Sequence, residues 1–302
     1  MSTLQAHPAT DAYALGCTPQ EYERLRAQSR AWETATSRLL DQVALSAGAR
    51  CLDAGCGPGE TMRLMAQRVG PGGRVTGIDI DAPLGAQALT MLHDTGHRQC
   101  RFIPFDVTAD GPIPGAPFDL VYARLLLYHL PDRVTVLRRL WQAVAPGGHL
   151  LIQDYDIRSV SVLPALASLE ELRRVIVEAF AAAGCDVQIG ARLPELFAQA
   201  GIGAPDGTDV SGRLEPLADT QPILTGVYRS ILPLAIARGI TTNDRGAATL
   251  SDVARDVECF PARPTLWPLL IGAWKRKTVG SAPTESVQRS VPVPKTARGS
   301  RA

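Results

Sequence analysis

Three aspartates, Asp53, Asp79 and Asp106, each close a short apolar run, and just after the first of them Gly55, Gly57 and Gly59 alternate with single residues. Alternating glycines let the backbone take φ > 0 and let a ligand approach the main chain without meeting a Cβ. The helical spacing that follows adds the unpaired N–H groups of a helix start. Such a turn is a nucleotide-sized cradle, and a carboxylate at a strand end can accept from both hydroxyls of a ribose. The spacing is D-x-G-x-G-x-G, with Glu60 where the dinucleotide fingerprint needs its last glycine, which speaks against the pyrophosphate of NAD. A fourth group, His129, stands with Tyr128 after another apolar run. A neutral imidazole there could remove a proton from a hydroxyl or an acidic carbon as a general base. Its ring could equally be held by a neighbouring loop or by Asp132.

These residues must be positioned by strands that end on a common edge. Cys51 and Leu52 lead into the glycine turn, residues 61–69 are spaced as a helix, and Gly70-Pro71-Gly72-Gly73 stops it. Residues 74–78 form the next strand; Asp79 follows Gly59 by 20 residues, the distance at which a strand-end carboxylate meets ribose hydroxyls. Asp81 reads as the cap of a helix running through 86–93. Residues 101–107 give a third strand, 109–117 a Pro/Gly loop, and 118–124 a strand buried on both faces. A helix follows, closed by Ala145-Pro146-Gly147-Gly148, and residues 149–155 form the fifth strand, after which Asp154 and Asp156 either line a pocket or begin the next loop. Upstream, Thr18-Pro19-Gln20-Glu21 carries the signals of a helix start, and an apolar stripe continues to about residue 45 with one break near Thr34.

The stretch CLDAGCGPGE resembles motif I of the class I S-adenosylmethionine-dependent methyltransferases, and FDLVYAR with LYHLPDRVTVLRRLWQAVAPGGHLLI resembles their motifs post-II and III. The resemblance spans residues 48–155, and more weakly the N-terminal helix and the final strand. It implies an α/β fold, a Rossmann-like, mostly parallel seven-stranded sheet ending in two antiparallel-type strands, with an N-terminal helical lid and a helical insertion near the C-terminus. It implies S-adenosyl-L-methionine as cofactor, held by Asp53, Gly55, Gly57, Gly59, Asp79 and Ile80. Asp106 and Val107 would take the adenine, Arg124 would lie by the methionine part through its main-chain carbonyl, and Tyr13 and Gln28 would belong to the lid. The implied activity is methyl transfer to a small molecule, with an oxygen or carbon acceptor favoured. A cyclase or isomerase that binds the cofactor without using it and an NAD-binding oxidoreductase are the alternatives.

Four segments follow: 1–46 as lid, 47–156 as cofactor-binding core, 157–277 as a helical substrate-covering region with the final strands, and 278–302 as a disordered basic tail. Within 157–277, helices are expected over 165–183, 193–200, 217–237 (interrupted by Pro222 and Pro233) and 249–258, and strands over 208–213 and 267–274, with a short apolar piece at 187–189. Net charge is +1, yet residues 275–302 hold seven Lys/Arg and one Glu, so the body is mildly acidic. Aromatics make up 5% of the chain and do not interleave with the basic residues, which argues against nucleic acid as a partner. Six cysteines without C-x-x-C pairs or nearby histidines suggest neither a metal site nor a disulfide framework. With no apolar run of about 18 residues and no signal-like N-terminus, a cytoplasmic protein without membrane contact is expected, monomer or homodimer being left open.

Overall fold

The computed structural model describes residues 19–279, so Tyr13 and the tail beyond 279 lie outside the described residues. Two helices lead in, α1 (Pro19–Ala31) and α2 (Glu33–Gln42). The expected single break falls at Trp32, whose indole is 1% exposed. The stripe turns inward there because the aromatic side chain is swallowed by the core.

The nucleotide-binding pattern then unrolls as β1 (Arg50–Ala54), α3 (Glu60–Val69), β2 (Arg74–Asp79), α4 (Ala82–Asp94), β3 (Cys100–Pro104), β4 (Phe118–Arg124), α5 (Arg133–Gln142) and β5 (Val144–Asp156). The remainder comprises β6 (Ser161–Val162), α6 (Ala167–Ala182), α7 (Ile189–Gln199), β7 (Gly207–Ser211), β8 (Leu214–Pro216), α8 (Leu217–Ala237), α9 (Asn243–Cys259), β9 (Pro264–Leu266) and β10 (Leu269–Arg276). Seven strands form one sheet in the order β3-β2-β1-β4-β5-β10-β7. The first five pair in parallel, and β1 sits where the order reverses, between β2 and β4. Register does the positioning: Ala54 stands beside Ile78 and Ala123, and Asp79 beside Pro104, so the carboxyl ends of four strands share one edge. Ligands bind at that edge, beside the reversal, in open sheets of this kind.

Only one of the two final strands runs against the rest. β10 is antiparallel to both β5 and β7, so β7 points the same way as β1 to β5. The last strand of the chain is thus inserted between its predecessors, a long-range pairing that local pattern does not encode. The segment Ala145-Pro146-Gly147-Gly148 lies inside β5, where a register shift between Phe118 and Leu120 of β4 accommodates it. Pro222 and Pro233 lie within an unbroken α8, in which Tyr228, Ile231 and Ala235 are buried. An interior proline costs about 3 kcal/mol of helix stability, offset here by packing. α7 begins at Ile189 and absorbs the short apolar piece at 187–189; Ile189, Leu193, Leu196 and Phe197 make its buried face. α9 begins earlier than expected, capped by the Thr242 hydroxyl, which accepts from Arg245 N at 3.2 Å.

A second, three-stranded antiparallel sheet, β6-β9-β8, was not foreseen. Its strands have two or three residues each, too short for a period-2 signal. No helix of the described residues is long and apolar enough to cross a membrane. The described cysteines are free thiols, and no group of His, Cys, Asp and Glu among the described residues could hold a metal ion.

Candidate functional site

A cavity of about 1210 Å³ opens over the carboxyl edge of the sheet and continues beneath α1, α6, α8 and the small sheet. Asp53, Gly55, Gly57, Asp79, Ile80, Asp106, Val107, Arg124, Gln28 and His129 all line it. Gly59 does not. Its backbone is left-handed at φ +79°, and an added Cβ would stand 3.0 Å from Ala88 Cβ, so its task is close packing of the turn on α4. Gly57, at φ +47°, has open space where a Cβ would project.

Asp79 organises the turn. Its Oδ2 accepts from Gly57 N at 2.8 Å and its Oδ1 from Asp81 N at 2.9 Å, so one carboxylate clasps the glycine loop and the start of the next turn. Desolvation pushes its carboxyl above the usual range, and these N–H groups oppose the rise. Asp53 is 2% exposed at the end of β1. Burial pushes its carboxyl up to about 7, the Arg124 guanidinium working against that and Asp79 with it. Its Oδ2 is buried with no hydrogen-bond partner among the described residues. Asp106 is engaged locally: Oδ1 accepts from Thr108 N at 2.8 Å and Thr108 Oγ1 at 2.6 Å.

Above the edge, α1 is tied down by side chains. Tyr22 Oη donates to Asp81 Oδ2 at 2.8 Å, while Asp81 Oδ1 caps α4 by accepting from Leu84 N at 2.9 Å. Gln28 Nε2 donates to Tyr155 Oη at 3.0 Å, and Trp32 Nε1 donates to the same oxygen at 2.5 Å. The Arg124 guanidinium turns to α1 and α2, donating to Ser29 Oγ and Thr36 Oγ1, both at 2.9 Å.

His129 lies on a short turn, Leu127–His129, after β4. Burial first, and then the charge of Arg24, push its imidazolium down to about 3, so the ring is neutral at any ordinary pH. Its ring lies against Tyr128, centroids 3.6 Å apart. Asp154 and Asp156 do not line the cavity. Asp154 is fully buried beneath it, accepting from Tyr155 N at 3.0 Å and Tyr128 N at 3.3 Å, and burial pushes its carboxyl up to about 7. Asp156 caps the next turn by accepting from Arg158 N at 3.1 Å.

Sequence reasoning missed Tyr22, Arg24, Tyr155 and Trp267 as cavity residues. Tyr155 ends a parallel strand and could have been found by the same edge argument that found Asp79. The others reach the cavity from a helix or a connection whose docking no local spacing reveals.

A family model for a methyltransferase domain matches residues 22–202, well over half of the chain. The chain belongs to the class I, S-adenosylmethionine-dependent methyltransferases. Trans-aconitate 2-methyltransferase of Paracidovorax citrulli is 41% identical over 120 residues, 40% of this chain and 44% of that one. Methyltransferase GfsG of Streptomyces halstedii is 26% identical over 233 residues, covering 74% of this chain and 77% of that one. The chain therefore spans less than half the length of the first relative and most of the second. Among solved structures, a candidate methyltransferase of Bacillus halodurans superposes with a TM-score of 0.55 at 15% identity, covering 81% of this chain and 99% of that one; it shares the fold.

The cofactor of this methyltransferase family is S-adenosylmethionine, and the residues present fit it. The edge carries Asp53, Asp79, Asp81 and Asp106, which suits a ligand bearing a sulfonium and an ammonium. The buried Asp53 oxygen without a partner and the open space at Gly57 are what a polar ligand at that edge would fill.

Proposed function

We propose that the protein transfers the methyl group of S-adenosylmethionine to a small-molecule acceptor with an apolar body. The observation that carries this reading is a single cavity with two unlike halves. Its acid-rich half lies at the strand ends, and its far half is walled by Ile157, Val162, Leu172, Ile176, Ile223 and Val227. At about 1210 Å³ it exceeds the range of about 300–1,000 Å³ usual for one ligand, which leaves room for an acceptor beside a cofactor.

When bound, S-adenosylmethionine supplies a methyl already activated as a sulfonium, so the protein has to align an acceptor and exclude water. Asp79 would accept from the ribose hydroxyls with the lone pairs its amide partners leave. Asp106, Val107 and Ile80 would hold the adenine. The main chain of Gly55, Gly57 and Arg124, with Asp53 beneath, would hold the amino-acid part. The 1–46 segment, through Tyr22 and Gln28, would act as a lid, and the 157–277 segment would enclose the acceptor.

His129 would touch the acceptor as a neutral imidazole. Pushed down to about 3, it is poorly matched to removing a proton from an alcohol beforehand at neutral pH. It can take a proton late, once methylation has turned a hydroxyl oxygen into a strongly acidic oxonium. An oxidoreductase using NAD is disfavoured by Glu60, which stands where the dinucleotide fingerprint has its last glycine and whose buried carboxylate is held by Arg30 Nε at 3.2 Å and Arg63 Nε at 3.1 Å.

Calorimetry with S-adenosylhomocysteine and with NADH tests the cofactor. Incubation with labelled S-adenosylmethionine and a panel of phenols, alcohols, amines and acids tests the reaction. Binding of NADH but not of S-adenosylhomocysteine would refute the proposal.

A further inference from the structure

We propose that Tyr155 hydrogen-bonds the acceptor, donating its hydroxyl proton to a carbonyl oxygen, so that the acceptor is an apolar ketone or ester rather than an amine. The proposal rests on the methyl-transfer reading above and narrows it to one acceptor chemistry.

A phenolic hydroxyl has one proton to give and lone pairs that accept. At Tyr155 the accepting side is filled by the protein. Trp32 Nε1, which can only donate, is 2.5 Å from Tyr155 Oη, and Gln28 Nε2 donates to the same oxygen at 3.0 Å. The Gln28 amide is oriented from its other end: Arg24 Nη1 donates to Gln28 Oε1 at 2.5 Å, and a guanidinium offers no acceptor, so the amide oxygen faces Arg24 and the NH₂ faces Tyr155. With two N–H groups aimed at the oxygen, the Tyr155 proton leaves in a third direction. No acceptor for it stands among the described residues.

Tyr155 is 6% exposed and lines the cavity. Sheet order puts it on the acceptor side. The strand-end acids are Asp53 on β1, Asp79 on β2 and Asp106 just beyond β3, whereas Tyr155 stands near the end of β5, two strands past β1 in the direction away from β2 and β3. From Tyr155 the chain runs on into the cavity wall at Ile157, Val160 and Val162. The ring is held against Trp32, centroids 6.0 Å apart, which fixes the hydroxyl before any ligand arrives. Burial pushes the hydroxyl up to about 12, so it keeps the proton it donates.

A buried O–H without an acceptor costs free energy that a ligand oxygen recovers. A carbonyl oxygen fits because it accepts and brings no proton of its own. An ammonium, which only donates, would meet an oxygen already taken by two N–H groups. A hydrocarbon would leave the O–H unpaired, and the site discriminates against both.

The test uses the full chain saturated with S-adenosylhomocysteine. Aryl alkyl ketones and esters of increasing size are titrated by calorimetry against the hydrocarbon and the primary amine of each skeleton. The carbonyl compounds are expected to bind at least about 10-fold more tightly than either partner. Tyr155→Phe, taken forward with a native circular dichroism spectrum, is expected to bring ketone and hydrocarbon within about 2-fold of each other, with affinity for S-adenosylhomocysteine kept. That variant also strips the Gln28 and Trp32 N–H groups of their acceptor, so an infrared measurement on the wild type tests the bond without it: the C=O stretch of a bound, isotope-labelled ketone is expected below its position in hexane. An unshifted stretch overturns the proposal. So do a series in which no carbonyl compound binds, a hydrocarbon or amine that matches its ketone, and a Tyr155→Phe variant that keeps the wild-type preference. A variant that loses S-adenosylhomocysteine overturns it too, since the hydroxyl would then serve the cofactor. Failure of the wild type to bind S-adenosylhomocysteine at all would instead bring down the methyl-transfer reading on which this one stands.

Discussion

Tyr22 Oη donates to Asp81 Oδ2 at 2.8 Å, joining α1 to the residue that caps α4 across the mouth of the cavity. The bond links two elements 59 residues apart in the chain, and Asp81 sits two residues beyond the carboxylate that clasps the glycine turn. The position of α1 and the glycine turn are thereby coupled. Tyr22→Phe should weaken the docking of α1 by about 1 kcal/mol and speed the release of S-adenosylhomocysteine several-fold, read by stopped-flow displacement. An unchanged release rate would separate α1 from cofactor retention.

Asp79→Ala removes the acceptor for Gly57 N and Asp81 N together with the proposed ribose contact. The fold should survive, with a lowered melting temperature, and affinity for S-adenosylhomocysteine should fall about 10- to 100-fold. Calorimetry on a variant with a native circular dichroism spectrum decides it. Undiminished affinity would count against the ribose assignment.

Gly57 and Gly59 should part company. Gly59→Ala puts a Cβ 3.0 Å from Ala88 on a left-handed residue and should cost about 1–2 kcal/mol of stability with little change in cofactor affinity. Gly57→Ala, also left-handed at φ +47°, should cost a similar amount through backbone strain, but its Cβ projects into open space at the cavity edge and should in addition weaken S-adenosylhomocysteine. Paired melting and binding curves for both variants test the division of labour.

Stability should fall as pH rises from about 4 to about 7. Asp53 and Asp154 are each pushed up to about 7 by burial, against an ordinary value of 3.8. Between those values the folded chain holds more protons than the unfolded one, so the slope of unfolding free energy with pH is negative; below the ordinary value and above 7 these groups add no slope. Asp154→Asn, outside the cavity, should flatten part of that decline in denaturant titrations run from pH 5 to 8. A stability that climbs over the same range through these two groups would contradict the burial assigned to them.

His129→Gln keeps a neutral, polar side chain and removes the imidazole. Turnover with the true acceptor should fall at least about 10-fold while S-adenosylhomocysteine binds as before. Wild-type turnover in this variant would reduce His129 to a residue of the loop.

The sequence alone determined the parallel half of the sheet and which residues stand at its carboxyl edge. Strand, turn and helix there are consecutive, and the chemistry sits at strand ends: Asp53, Asp79, Asp106 and the glycines could be placed because a parallel βαβ unit always returns its strand ends to one edge. Asp81 as a helix cap was legible for the same local reason. The tertiary structure decided the rest. Arg24, Tyr22 and Trp267 reach the cavity only because α1 and the connection before β10 dock over it, and docking is set by burial of long-range partners such as Trp32 against Tyr155 and Trp267. β10 inserts between β5 and β7, α8 runs through two prolines, and Gly59 turns to α4 instead of the cavity. In each case the deciding energy is packing between segments far apart in the chain, which residue spacing cannot express.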